Sequence, residues 1–169
     1  HTIGLGKTAS ADQVLGTVNL ALADATGAAD AIAIKIAEAT SATLTATAGI
    51  ETANFSLSTT DTDIAETTLT VSGINIATLN FTGATADTTH TLGLGTLDTD
   101  TTTVDASGYA GVLTAQASAT GTTFVLAGDD AHDVTGGAGD DSVTISSGIA
   151  TYNVDGGAGT DTLAMTLDG

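Results

Sequence analysis

The sequence predicts an all-β chain wound as a right-handed parallel β-solenoid, and three observations carry that prediction. About a fifth of the 169 residues are Thr, with Ala, Gly and Asp making up much of the rest, and the aromatic residues are limited to Phe55, Phe81, Phe124, Tyr109 and Tyr152. Such a composition cannot fill a wide globular core, whereas small and β-branched side chains stacked in ladders fill a narrow one. A phrase recurs at a drifting period of about 21 to 25 residues, opening with Leu44-Thr-Ala, Leu69-Thr-Val, Leu92-Gly-Leu and Leu113-Thr-Ala. A period in that range means one coil per repeat. Gly and Asp punctuate short runs in which apolar residues alternate with Thr, the pattern of strands and turns rather than helices.

Along the chain, residues 1–43 read as an N-terminal β segment: a strand over 18–22, a turn over 23–30 and a strand over 31–36, preceded by a helical turn at 12–15. Residues 44–126 read as Thr-rich coils, whose second strands fall at 53–57, 78–82, 102–106 and 123–126. Phe55, Phe81 and Phe124 recur at similar places in these coils and are expected to stack as a core ladder. Residues 127–169 read as tighter coils of the same stack. Nothing rich in Pro, Gly or Ser divides the chain, so one continuous domain is expected. Because the sequence opens on His1, it is expected to be a piece of a longer protein.

The sharpest motifs lie near the C-terminus. Gly136-Gly-Ala-Gly-Asp-Asp-Ser-Val-Thr144 and Gly156-Gly-Ala-Gly-Thr-Asp-Thr-Leu-Ala164 both fit G-G-x-G-x-D-x-U-x, where U is a large apolar residue. The glycines allow a tight turn whose carbonyls point at one spot, the Asp supplies an anionic oxygen there, and the last three residues start a strand. One such turn is half a cage for a hard cation. Successive turns cross between the edges of a flattened coil, so two turns starting 20 residues apart stack on one edge, with residues 145–155 as the opposite edge.

These turns resemble the calcium-binding RTX family, whose β-rolls lie in proteins exported by type I secretion, over residues 127–169. The resemblance implies an RTX β-roll there. It also implies one Ca²⁺ held between the turn of Gly136, Gly137, Ala138, Gly139 and Asp141 and the turn of Gly156, Gly157, Ala158, Gly159 and Asp161. The preceding Ala127-Gly-Asp-Asp-Ala-His-Asp-Val-Thr135 looks like a decayed copy with His132 at the Asp position. Asp129, Asp130 and Asp133 are candidate ligands of an altered site there, opposite residues 146–151, which offer no carboxylate. Upstream, Gly49-Ile-Glu-Thr-Ala-Asn-Phe55 and Thr103-Val-Asp-Ala-Ser-Gly-Tyr-Ala-Gly111 resemble the repeats of bacterial surface-layer proteins of the RTX type, which form calcium-dependent crystalline coats around Gram-negative cells. This second resemblance implies an extracellular, cell-surface place, assembly with copies of the parent protein into a lattice or filament, and cell-surface polysaccharide as a further partner. The stalk or binding module of an RTX adhesin and the C-terminal export domain of an RTX exoenzyme are the alternative readings.

Charge narrows the classes further. The formal net charge is -18, with Lys7 and Lys35 the only Lys or Arg, which argues against nucleic acid and against an anionic membrane surface, since both require cations. No run approaches the roughly 18 apolar residues of a membrane span. There is no Cys to form a disulfide, and a bound ion can stabilise instead, by about 2.7 kcal/mol at a 100-fold excess over Kd. Catalytic groups are few. His1, His90 and His132 are expected as solvated turn residues, Asp61/Asp63 and Asp98/Asp100 as exposed turn acids, and no G-x-S-x-G elbow is present. A non-enzymatic, structural role is the expectation.

Overall fold

The computed structural model describes residues 2–6, 14–20, 29–37, 39–46, 50–58, 66–73, 76–84, 90–127, 131–146 and 150–166. They hold fifteen strands: β1 Thr2–Gly6, β2 Val14–Leu20, β3 Ala31–Ala37, β4 Ser41–Ala46, β5 Thr52–Ser58, β6 Glu66–Gly73, β7 Thr78–Ala84 and β8 Thr91–Thr96, then β9 Thr103–Ala110, β10 Val112–Gln116, β11 Thr123–Ala127, β12 Asp133–Thr135, β13 Ser142–Ser146, β14 Asn153–Asp155 and β15 Thr162–Thr166. Odd strands build one sheet in the order β1-β3-β5-β7-β9-β11-β13-β15, and even strands the other, β14-β12-β10-β8-β6-β4-β2. Every pairing is parallel. The chain therefore alternates between two facing sheets, one coil per pair of strands, as a β-solenoid, and among the described residues there is no helix. The helical turn expected at 12–15 is corrected for Val14 and Leu15, which open β2, where Val14 pairs with Ser41 of β4 ahead of an irregularity before Thr17.

Period-two alternation builds the core. In β3, Ile32, Ile34 and Ile36 point inward while Ala31 and Lys35 are exposed; in β5, Ala53, Phe55 and Leu57 are buried. In-register pairing stacks these positions into ladders. One runs Ile32, Ala53, Leu79, Val104, Phe124, Val143 and Leu163. Phe55 and Phe81 stack in the neighbouring ladder, with ring centroids 5.1 Å apart and planes 12° apart. Phe124 is equally buried but does not join them: its register partners are Val104 and Val143. The three-Phe ladder expected from the repeat is thus two Phe in one ladder and the third in the next. The outward face of the same sheet carries Thr52, Thr78, Thr103, Thr123, Ser142 and Thr162 in one column, where β-branched side chains suit a pleated surface.

The second sheet corrects the repeat alignment as well. Leu92 pairs with Leu113 as the phrases suggest, but Leu69 lies beside Ala42 and Leu92 beside Thr67. A slip of two residues keeps every side chain on its own face, so the alternation of a single sequence cannot reveal it.

The sheets meet along two edges. At one, the chain passes from the second sheet to the first, before β3, β5, β7, β9, β11, β13 and β15. At the other they lead back.

Candidate metal centre

The first of these edges holds both nonapeptide turns. Gly136, Gly137, Ala138 and Gly139 link β12 to Asp141 and β13, while Gly156, Gly157, Ala158 and Gly159 link β14 to Asp161 and β15. The two turns stack directly, with Ala158 N–H donating to Gly137 O at 2.9 Å. Glycine is needed for this approach. A Cβ at Gly137 would land on the Ser118 carbonyl of the turn above, and Gly157, at φ 79°, holds a left-handed conformation against the Gly137 carbonyl.

Stacking brings the two expected carboxylates to one place. Asp141 is 3% exposed. Its Oδ1 accepts from Thr122 N–H of the coil above at 2.7 Å, and its Oδ2 accepts from Gly137 N–H of its own turn at 2.8 Å. Asp161, on the last coil, is exposed and repeats the first contact, its Oδ1 accepting from Asp141 N–H at 2.9 Å. Both carboxylates, with Gly136 and Gly156, line one cavity of about 160 Å³, whose other side is apolar, formed by Val143, Val154 and Leu163. Asp155 also borders it, with Oδ1 accepting from Gly157 N–H at 3.0 Å. Among the described residues no three His, Asp or Glu side chains gather as a metal cluster, so an ion here would take much of its shell from turn carbonyls. The polar groups lining the cavity are oxygens, two of them the Asp141 and Asp161 carboxylates, and oxygens of this kind suit a hard cation such as Ca²⁺ better than a softer ion.

Asp133 is not brought to this cavity. It opens β12, is exposed, and accepts from Asn153 Nδ2 at 3.1 Å on the outer side of the second sheet. There it borders a separate shallow groove of about 260 Å³. Asp129 and Asp130 lie outside the described residues, as do Asp61 and Asp63. Asp98 and Asp100 occupy an exposed turn, with Asp98 Oδ1 accepting from Asp100 N–H at 3.2 Å, as turn acids do.

The sequence reading missed a third stacked turn. Residues 117–122 lie directly above Gly136–Asp141 on this edge, and Ser142 N–H donates to Thr122 O at 3.0 Å, so Thr122 holds the Asp position one coil earlier. With no Gly-Gly and no Asp, no motif marks it.

His90 and His132 are the other correction, because they are not solvated; His1 lies outside the described residues. His90 and His132 are each 1% exposed, on the second edge. His90 sits between Tyr109, whose hydroxyl is 2.6 Å from Nδ1, and Thr67, whose Oγ1 is 3.0 Å from Nε2. Thr67 O–H donates to Ala39 O at 2.6 Å, so Thr67 Oγ1 accepts from Nε2–H; in the neutral ring Nδ1 then accepts from the Tyr109 hydroxyl, which also reaches His90 O at 3.4 Å. His132 Nδ1 accepts from Leu113 N–H at 3.0 Å, and its ring stacks on Tyr152 with centroids 5.9 Å apart. His132 therefore makes the contact that Asp141 and Asp161 make, a side-chain acceptor reaching one coil back, but with a neutral ring. Compared with known proteins, the chain matches no protein-family model, no curated protein and no solved structure.

Proposed function

We propose that this chain is a structural segment of a secreted, calcium-dependent bacterial surface-layer protein of the RTX type, which holds shape and assembles with copies of its parent outside the cell. The observation that supports it is the pair of stacked glycine turns that direct Asp141 and Asp161 into one cavity. Two carboxylates at one interface repel each other, and the burial of Asp141 is costly without a counter-charge. A bound Ca²⁺ supplies that charge. The chain's own residues do the rest: the glycines let the backbones approach, and the carboxylates lock each turn to the coil above. Folding is then conditional on the calcium level around the chain, with ordering outside the low-calcium cytoplasm.

The test is electron microscopy of the intact parent protein with and without a calcium chelator. Sheets or filaments that disperse on chelation are expected. Calcium-indifferent monomers would overturn the reading and move it to an adhesin stalk or an exoenzyme's export domain.

A further inference from the structure

The two stacked turns are entered from equivalent places through different residues. Thr135 closes β12 and Asp155 closes β14, the two pair in register, and each is followed by the first glycine of its turn. That glycine is fixed by the fold: a Cβ at Gly156 would run into the Asp161 side chain, and one at Gly136 into the Gly156 carbonyl. The second turn is therefore committed to an Asp–Gly dipeptide. Among the described residues, no other Asp or Asn precedes a glycine.

Asp155 is exposed, and its carboxylate is folded back along its own chain. Its Oδ1 accepts from Gly157 N–H at 3.0 Å, an Asx turn that closes one hydrogen-bonded ring containing both the Asp155 Cγ and the Gly156 nitrogen. Asp98 and Asp105 make the same turn, accepting from Asp100 N–H at 3.2 Å and from Ser107 N–H at 2.9 Å. There the next residues, Thr99 and Ala106, carry a Cβ that hinders attack by their nitrogen. Gly156 carries none.

We propose that Asp155–Gly156 is a site of spontaneous backbone modification, at which Asp155 isomerises to isoaspartate and slackens the second glycine turn. The Gly156 nitrogen attacks Cγ of the protonated carboxyl, the nitrogen's proton and the carboxyl hydroxyl leave as water, and a succinimide forms. Water then opens this ring at the former main-chain carbonyl, so the chain runs on through Cβ and Cγ and an α-carboxylate is set free. Only water leaves and returns; no other reactant is needed. The backbone is then one carbon longer at the entry to the turn. The Asp155 carbonyl that accepts Gly136 N–H at 2.6 Å becomes part of the free carboxylate, and Ala158 N–H shifts from its place against Gly137 O. Thr135, which accepts from Ala117 N–H at 2.7 Å in the same position one coil earlier, has no such route. None of this depends on whether the cavity takes an ion.

The experiment ages the full chain in chelator and locates isoaspartate by electron-transfer fragmentation in a mass spectrometer, with hydrogen exchange at the Gly136 and Ala158 amides as the second readout. Isoaspartate is expected at Asp155 of the folded chain and not at Asp98 or Asp105, with loss of protection at Gly136 and Ala158 in step with it. Asp155→Asn, which expels ammonia more readily than Asp expels water, is expected to convert faster, and the same variant unfolded in urea serves as the clock. Asp155→Glu, whose longer side chain closes the ring poorly, should keep both amides protected over the same time. A folded chain with no isoaspartate at Asp155 once the unfolded Asp155→Asn chain has converted would overturn the proposal, as would isoaspartate at Asp155 with protection at Gly136 and Ala158 unchanged.

Discussion

At the acidic edge, Asp141 and Asp161 each reach back one coil to accept a backbone N–H; at the opposite edge, His132 does the same for Leu113. The geometry is shared and the charge is not. A carboxylate acceptor is strong, but stacking one on the next accumulates negative charge in a chain already at -18. An imidazole acceptor adds none, and the space beside it is filled by Tyr152 and, higher in the stack, by the Thr67–His90–Tyr109 chain. On the proposed reading the first edge is conditional on a counter-ion, whereas the described contacts of His90 and His132 on the second are packing and neutral hydrogen bonds. If calcium binds as proposed, such a solenoid keeps its coils in register along one seam while the ion decides whether the other closes.

The comparison breaks most directly at Asp141. Replacing it with Ala leaves Thr122 N–H and Gly137 N–H without their acceptor in a buried place, at about 1–3 kcal/mol each. The expected outcome in urea unfolding is a loss of several kcal/mol together with most of the calcium response. Asp161→Ala is expected to lose calcium response too. Asp140→Ala, which removes only an exposed contact to Thr160 N–H, should leave the calcium response intact; equal calcium titrations for all three would contradict the assignment of ligands.

Gly137→Ala tests whether the acidic edge depends on backbone proximity as well as on charge. The added Cβ would meet the Ser118 carbonyl, so the turn must shift, and roughly 1–3 kcal/mol of destabilisation is expected, as for an overpacked core. Saturating calcium is not expected to restore it. The matching change on the other edge, Gly111→Ala, brings the Cβ to 2.8 Å from the His90 carbonyl and from the Tyr109 ring. Its cost should be similar in chelator and in calcium.

His132 sharpens the contrast. His132→Ala removes the acceptor for Leu113 N–H and the ring that stacks on Tyr152, for an expected loss of about 1–3 kcal/mol that is the same with and without calcium. His132→Asn, whose carbonyl oxygen can take the place of Nδ1, is expected to recover the Leu113 amide protection in hydrogen exchange. If the His132→Ala penalty vanishes in calcium, the two edges are not independent.

The acidic edge was the more legible of the two in sequence because its chemistry is local: six consecutive residues, Gly136 to Asp141, carry the turn, the close approach and the acceptor. The strands were legible for the same reason, since alternation in 31–37 or 52–58 is complete within one element. What escaped depends on pairs from different coils. His132 meets Leu113 and His90 meets Tyr109 across 19 residues, and no local pattern distinguishes such a histidine from a solvated one. The placement of Phe124 and the pairing of Leu69 with Ala42 escaped because a same-face slip of two leaves periodicity unchanged.

The smallest expected effect asks whether the second edge is one connected network or a set of separate contacts. Thr67 is the link: its hydroxyl donates to Ala39 O and accepts from His90 Nε2–H, joining three successive coils through one oxygen. Thr67→Val keeps shape and volume but leaves the Ala39 carbonyl and the His90 N–H both buried without that partner, for an expected loss of about 1–2 kcal/mol. Thr67→Ser, which keeps the hydroxyl and drops the methyl, should lose less. The decisive comparison is the double variant Thr67→Val with Tyr109→Phe. If Tyr109, His90, Thr67 and Ala39 O act as one directed chain, the second change costs clearly less than it does alone, because the orientation of His90 is already lost. Additive costs would mean that each coil is pinned separately, and that the second edge owes its strength to repetition.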